Sequence, residues 1–306
     1  MKRFIFKITA IGALMLLIAG IWFLVDINNF RSTPINVEGE GLHYEIKSGD
    51  NLTRVSKNLY LANVIEHPRY LVWLGKLKGQ ANKIKTGEYL FEPGTTTDQL
   101  LDQIVKGSTI QYSATIVEGW NIWEMMAALQ QNEYLEHTLK GIKTEEIMEK
   151  LGKPGEHPEG RFLPDTYHFP KGTTDVAFLL RAYEAMETAL ADEWENRQPG
   201  LPLKTPYEAL ILASIIEKET AVPSERSAIA GVFIRRLNKR MRLQTDPTVI
   251  YGLGEKFDGN IRRRDLVNDT PYNTYRRNGL TPTPIAMPGV DAIHAALHPD
   301  DGNALY

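Results

Sequence analysis

The apolar and polar positions of the chain fall into three regimes. The first is a run without charge: after Lys2, Arg3 and Lys7, the stretch Ile8 to Val25 holds about 18 uncharged residues, close to the length of helix that crosses a bilayer. A polar segment with Pro and Gly follows at 28–42, NNFRSTPINVEGEGL, and reads as a linker. In the second regime, Tyr44 and Ile46 alternate as in a strand, Gly49 turns the chain, Asp50 or Asn51 caps, and Leu52, Val55 and Leu59 share a helical face. The same strand, turn and helix return in Thr115 to Leu129. There Gly119, Asn121, Ile122, Met125 and Leu129 stand where Gly49, Asn51, Leu52, Val55 and Leu59 stood, the pattern of an internal duplication. Between the copies, Pro68 opens a helix with Tyr70, Leu71, Leu74 and Leu77, and Lys85 to Phe91 reads as a strand. A further helix carries Leu100, Leu101, Ile104 and Val105 and is closed by Gly107.

From about residue 140 the helical period dominates. Thr174 caps a helix with Val176, Leu179, Leu180, Tyr183, Met186 and Leu190 inward, ended by Pro199 and Gly200. Thr205-Pro206-Tyr207-Glu208 is a capping box with Pro at the first helical position. It opens the helix that carries Glu217 and Glu219. With Ile215 as the centre, Glu219 falls about 40° away, inside the apolar stripe, and Glu217 about 160° away. Ser224 is expected to cap the next helix, with Ile229, Val232, Phe233 and Leu237 inward, and Asp246-Pro247 to cap and start another.

Composition bounds the picture further. The 306 residues are 42% hydrophobic and 24% charged, enough for two modest domains and an anchor. The apolar run ends in the bulky Ile-Trp-Phe-Leu-Val rather than a small-x-small site, which favours an uncleaved anchor over a signal peptide. Basic residues precede the span and Asp26 follows it, so the N-terminus is expected in the cytoplasm and the remainder outside the cell (inner) membrane. The remainder holds 32 of the 35 Lys and Arg against all 38 Asp and Glu, which leaves no basic stripe for nucleic acid. Without cysteine, no disulfide framework supports either domain.

Glu219 is the candidate catalytic residue. A carboxyl group held against aliphatic neighbours has its charged form disfavoured, which suits a general acid; the competing reading is a helix-end Glu paired with Arg226, Arg235 or Arg242. Gln244, Thr245 and Asp246 lie on a loop before a helix, and Pro-Tyr-Asn-Thr-Tyr at 271–275 interleaves rings with amide and hydroxyl groups. Rings stack on sugars while amides and hydroxyls bond to them, so Gln244, Thr245, Asp246, Tyr272, Asn273, Thr274 and Tyr275 are candidate saccharide contacts. His294 and His298 sit four apart near Asp300 and Asp301, but without a His-Glu-x-x-His motif no metal site is assigned and no cofactor is expected.

Several long motifs carry a resemblance: Ile-Ile-Glu-Lys-Glu-Thr-Ala-Val-Pro-Ser-Glu-Arg from Ile215, Arg-Leu-Gln-Thr-Asp-Pro-Thr-Val-Ile-Tyr-Gly from Arg242, Pro-Tyr-Asn-Thr-Tyr from Pro271, and Gly-Leu-Thr-Pro-Thr-Pro-Ile-Ala-Met-Pro-Gly from Gly279. With Glu-Gly-Arg-Phe-Leu-Pro-Asp-Thr-Tyr from Glu159, they resemble the endolytic murein transglycosylase (YceG-like) family over nearly the whole chain. The first strand-turn-helix and the Lys-Thr-Gly-Glu-Tyr-Leu-Phe segment at 85–91 resemble a LysM-like module, which implies binding to N-acetylated glycan. The resemblance implies an α+β chain with an N-terminal transmembrane helix (1–27), a linker (28–42), a small LysM-like module (43–110) and a mainly helical catalytic domain (111–306) similar to lytic transglycosylases. It also implies a Gly- and Thr-rich strand segment and a last helix beyond the position of Tyr306, so a truncated catalytic domain is expected.

The implied activity is internal cleavage of peptidoglycan strands between N-acetylmuramic acid and N-acetylglucosamine, leaving 1,6-anhydro ends, with Glu219, the Glu followed by Thr, as the single acid and base. Termination or trimming of nascent strands is the implied role, with the inner membrane, peptidoglycan synthases and the division or elongation machinery as neighbours. The alternatives are a muramidase-type hydrolase, which needs a second carboxylate across the bond, and a membrane-anchored scaffold that binds the wall without cutting it.

Overall fold

The computed structural model describes residues 2–306, without the side chains of residues 2–11, 13 and 255. It is a mixed helix and strand structure, about half helical, that divides into two compact units, Met1–Tyr112 and Ser113–Tyr306.

The N-terminal unit contains α1 (Lys2–Ser32), β1 (Leu42–Ile46), α2 (Leu52–Leu61), α3 (Pro68–Leu77), β2 (Gly87–Phe91) and α4 (Thr97–Lys106). β1 and β2 pair antiparallel, with Tyr44 opposite Tyr89. Each short helix buries one stripe: Leu52, Val55 and Leu59 of α2, Leu71 and Leu74 of α3, and Leu100, Leu101 and Ile104 of α4. These stripes close over Ile46, Tyr89 and Phe91 to form one core. A Cβ on Gly75 would collide with Leu52, so glycine is what lets α3 approach α2 so closely.

The stretch expected as a linker differs. Residues 28–32 continue α1, and Phe30 and Ile35 are buried in this core. The backbone N–H of Ile35 donates to Thr95 O at 2.8 Å and that of Asn36 to Val64 O at 2.9 Å, so the polar composition conceals a docked segment. Among the described residues, Leu14–Ser32 is long and apolar enough to cross a membrane; the earlier part of the expected span, residues 8–11 and 13, has side chains outside the description.

The C-terminal unit contains β3 (Gln111–Ile116, entering from the preceding unit), α5 (Ile122–Gln130), β4 (Leu135–Glu136), α6 (Ile147–Lys150), β5 (Asp165–Pro170), β6 (Thr173–Thr174), α7 (Asp175–Glu195), α8 (Pro206–Glu219), α9 (Arg226–Asn238), α10 (Asp246–Leu253), α11 (Arg263–Val267) and α12 (Val290–Leu297). β3 is hydrogen-bonded to β5, and β4 pairs parallel with β6.

The two strand-turn-helix units share their local geometry. Gly49 and Gly119 both have positive φ, 85° and 77°. Asn51 and Asn121 each cap a helix by accepting from the N–H three residues on, at 2.9 Å in both cases. Val55 and Met125 are both fully buried.

α8 is the central helix of this unit. Ala209 to Ile216 are all buried, against residues of α7, α9 and α12. Its start is as the sequence implies, with Thr205 accepting from Glu208 N–H, although the Glu208 carboxylate bonds to Lys204 N–H rather than closing the box. Ser214 lies inside the core and uses its hydroxyl twice, donating to Ile211 O at 2.7 Å and accepting from Ile285 N–H at 3.0 Å. Two expected caps are displaced. Pro223 begins a 3-10 turn through Glu225, so α9 starts at Arg226 with Glu225 rather than Ser224 before it. Thr245 is the residue before α10, and Asp246 is its first helical residue.

Candidate active site

Glu219 is the last residue of α8. Thr220 adopts an extended backbone, φ −143° and ψ 138°, and ends the helix; its hydroxyl donates to Glu225 at 2.7 Å and accepts from Val222 N–H. The expectation that Glu219 is held against aliphatic neighbours does not survive: Glu219 is exposed, while Glu217 is the buried carboxylate, its side chain only 5% accessible. Helical phase misassigned the pair because α8 is buried around its whole circumference. What decides exposure is position along the axis, and the last turn leaves the core.

Glu217 accepts from Gly289 N–H at 3.0 Å and pairs with Arg226 at 3.1 Å. Arg226 therefore serves Glu217, not Glu219. Burial pushes Glu217 above the ordinary carboxyl range, with Gly289 N–H and Arg226 pulling it back. The fit is tight, since a Cβ on Gly289 would collide with the Glu118 carboxylate beside it.

Among the described residues, the exposed carboxylate of Glu219 is held by one side chain, the Thr245 hydroxyl, which donates to Oε2 at 2.7 Å. Thr245 is in turn fixed from below: its N–H donates to Thr274 Oγ1 at 3.1 Å, and Thr248 Oγ1 donates to its carbonyl at 2.8 Å. Gln244, next to it, has φ 52°, a left-handed backbone that a side-chain-bearing residue rarely takes; its N–H donates to Thr274 O at 3.2 Å. Its side chain is exposed at the same cleft as Glu219.

Two clefts meet at Glu219. One, of about 580 Å³, is lined by Phe233, Arg235, Arg236, Gln244 and the segment through Tyr306. The other, of about 340 Å³, is lined by Glu118, Trp120, Glu124, Lys218 and Thr220. Trp120 and Lys218 were not singled out from sequence; Lys218 precedes Glu219 on α8, and its Nζ donates to Gly119 O at 3.0 Å, which brings the Gly119 turn and Trp120 to the end of that helix.

The other sequence candidates divide. Asp246 and Tyr275 join each other, the phenol donating to Asp246 Oδ1 at 2.6 Å, and burial followed by this carboxylate pushes the phenol up to about 12. Thr274 supports the Thr245 loop from within. Asn273 is buried and spends its amide on the carbonyls of Asp265, Leu266 and Asn268, which shapes the loop. Tyr272 packs edge-on to Tyr251 and bonds to Thr283, away from both clefts.

A third glutamate had no role assigned by sequence. Glu159 is wholly buried, accepting from Ile122 N–H at 3.1 Å and from the Tyr251 hydroxyl at 3.0 Å. Burial pushes it up to about 7, against the pull of those two donors. It clamps the N-terminus of α5 to α10 and has no solvent access, so its perturbed titration marks a structural group. His294 and His298 are joined by Glu193, with the three ligand atoms within 4.8 Å of one another. Their ring nitrogens face protein oxygens: Glu193 at 2.9 Å from His294 Nδ1, and Asn196 O at 2.9 Å from His298 Nε2.

An exposed carboxylate at the end of a buried helix, held by a threonine hydroxyl where two clefts meet, is a site suited to acid and base chemistry on a large, open substrate. The chain belongs to the YceG-like family, which it matches over residues 44–306. It is 29% identical over 300 residues to the endolytic murein transglycosylase of Bacillus subtilis strain 168, covering 92% of this chain and 81% of that protein. It is 26% identical over 294 residues to the protein of that name from Streptococcus pneumoniae D39, of which it spans about half, 53%. A crystal structure of a yceG-like protein from Listeria monocytogenes is similar with a TM-score of 0.53 and 29% identity, over 87% of this chain and 93% of that one.

Proposed function

We propose that this protein is a lytic transglycosylase that cuts murein strands internally, with Glu219 as its single acid and base. The observation that carries the reading is the placement of Glu219: exposed, at the junction of two clefts, with Oε2 held by Thr245. Oε1 has no protein hydrogen-bond partner among the described residues and is the oxygen available to the substrate.

In the proposed reaction, Glu219 gives its proton to the oxygen linking N-acetylmuramic acid to N-acetylglucosamine, and the bond from that oxygen to the muramic C1 breaks. The muramic C6 hydroxyl then bonds to C1 and returns its proton to the Glu219 carboxylate. One strand end carries a free 4-hydroxyl and the other a 1,6-anhydro ring. No water is consumed, and Glu219 is restored. A hydrolase would need a second carboxylate across the bond. Asp246 is the candidate by sequence, and its engagement by the Tyr275 hydroxyl favours a role in positioning that ring.

In this reading α1 is an uncleaved anchor, the N-terminus is cytoplasmic, and residues 43–110 are a LysM-like glycan-binding module. The strand, turn and helix of β1 and α2, closed by β2 within the 85–91 segment, support the module. Burial of Ile27 and Phe30, the last turns of α1, supports a helix retained with the folded unit. Release or trimming of nascent strands beside wall synthases and the division or elongation machinery is the expected setting. The test is cleavage of purified sacculi by the full chain in detergent: Glu219→Gln abolishes release of strands at unchanged melting temperature. Wall binding that persists together with cleavage by Glu219→Gln would refute the assignment of the acid, and binding without cleavage by the wild type would favour the scaffold.

A further inference from the structure

The N-terminal unit carries an exposed helix face that the proposed reaction does not use. On α3, Arg69, Trp73, Lys76 and Leu77 are exposed at helical spacing, Trp73 by 39% and Leu77 by 70%. A tryptophan and a leucine left in water on a ten-residue helix flanked by basic side chains have the composition of a segment that lies at a lipid interface.

The packing of α3 on α1 fixes where that face sits. Tyr70 meets α1 at Phe30, with ring centroids 5.5 Å apart, at Phe23, 6.1 Å, and through its hydroxyl at the Asp26 carboxylate. Trp73 meets α1 at Phe23, 5.2 Å. α3 thus starts beside Phe30 and descends along α1 toward the charge-free run, in which Phe23 lies. Leu77 is a further turn along, about 6 Å at the rise of a helix. α1 is continuous through this contact, and its Ile27 and Phe30 are buried, so no slack separates the apolar run from the module.

We propose that α3 is a second, interfacial membrane contact: Trp73 and Leu77 enter the boundary between headgroups and acyl chains, with Arg69 and Lys76 directed to lipid phosphates. The occupant is the bilayer that α1 crosses, so the inference rests on the anchor reading. It follows from the chemistry of the interface, where tryptophan rings are favoured and basic side chains reach the headgroups. The consequence is a module seated on the membrane in one orientation rather than tethered by a flexible linker.

The chain contains no cysteine, so single labels can be placed without further changes. Nitroxide labels at Leu77→Cys, at Leu24→Cys in α1 and at Thr188→Cys, an exposed position of the C-terminal unit, are compared in the full chain reconstituted in phosphatidylcholine and phosphatidylglycerol nanodiscs. The readout is relative accessibility to oxygen and to a water-soluble nickel chelate. The expected result is that the Leu77 label, like the Leu24 label, favours oxygen, while the Thr188 label favours the chelate. Oxygen preference at Leu24 with chelate preference at Leu77 overturns the interfacial contact and leaves the anchor standing. Chelate preference at Leu24 overturns both.

Discussion

Helix α4 of the N-terminal unit buries Thr97, Leu100, Leu101 and Ile104 and leaves the positions between them partly or fully exposed, whereas α8 of the C-terminal unit buries eight residues in a row, Ala209 to Ile216. The first helix has a face and the second has only ends. In α4 the side on which a residue falls tells whether it meets water. In α8 the chain position does, and its two glutamates in the last turn part company over two residues: Glu217 is still inside, tied to Arg226 and Gly289, and Glu219 is outside, at the clefts. Buried carboxylates are thus structural devices in this unit, at Glu217, at Glu159 and at Asp175, which accepts from the N–H groups of Thr138 and Leu139, and the carboxylate proposed for chemistry lies outside the core.

The contrast can be broken most forcefully at Glu217. Replacing it by Gln takes from buried Arg226 the nearest of its three carboxylate partners, with Glu118 and Asp291 remaining at 3.4 and 3.5 Å, and should cost about 3 kcal/mol. The C-terminal unit would melt roughly 6 to 12 °C lower by calorimetry, while residual activity of the folded fraction persists. Activity loss at wild-type stability would show that Glu217 rather than Glu219 is the group in use.

Glu159 yields a pH dependence of defined sign. Its folded-state value of about 7 lies above the ordinary carboxyl value of 4.5. The folded state therefore holds a proton that the unfolded chain releases, and stability present below about 4.5 is lost as the pH rises to about 7, by an amount on the order of 3 kcal/mol. Urea midpoints across that window should fall with rising pH, and Glu159→Gln should remove most of the slope. Glu217 is shifted in the same direction, so a remainder of the same sign is expected.

Thr245→Val removes the hydroxyl from Glu219 Oε2 while keeping shape. Turnover should drop about ten-fold, the scale of one hydrogen bond to a charged group, with little change in melting. The smallest effects are the paired caps: Asn51→Ala and Asn121→Ala should each cost about 1 kcal/mol. Hydrogen exchange should place the first loss in the N-terminal unit and the second in the C-terminal unit.

The sequence is legible where local chemistry decides. Asn51, Asn121, Thr174 and Thr205 cap helices because each needs only the N–H three residues on, and the buried stripes of α2 and α4 read directly, whereas Leu77, grouped with the α3 stripe by spacing, is exposed. Gln244 and Thr245, placed by sequence on the loop before a helix, do lie beside Glu219. Long-range partners decide the rest. Glu217 finds Gly289 across 72 positions and Arg226 across nine, Asp246 finds Tyr275 rather than a cap, and the 28–42 segment finds Thr95 and Val64. Asn273 has the composition of a sugar contact and is spent on three carbonyls of its own loop.

The central claim is that Glu219 performs both proton transfers and that no water enters the product. It is tested most directly by digesting purified sacculi in heavy-oxygen water with the wild type and with Glu219→Gln, and weighing the released muropeptides. The account predicts anhydro-muramic ends without heavy oxygen from the wild type and no new ends from the variant. Reducing ends carrying heavy oxygen, or anhydro ends still formed by the variant, would contradict it.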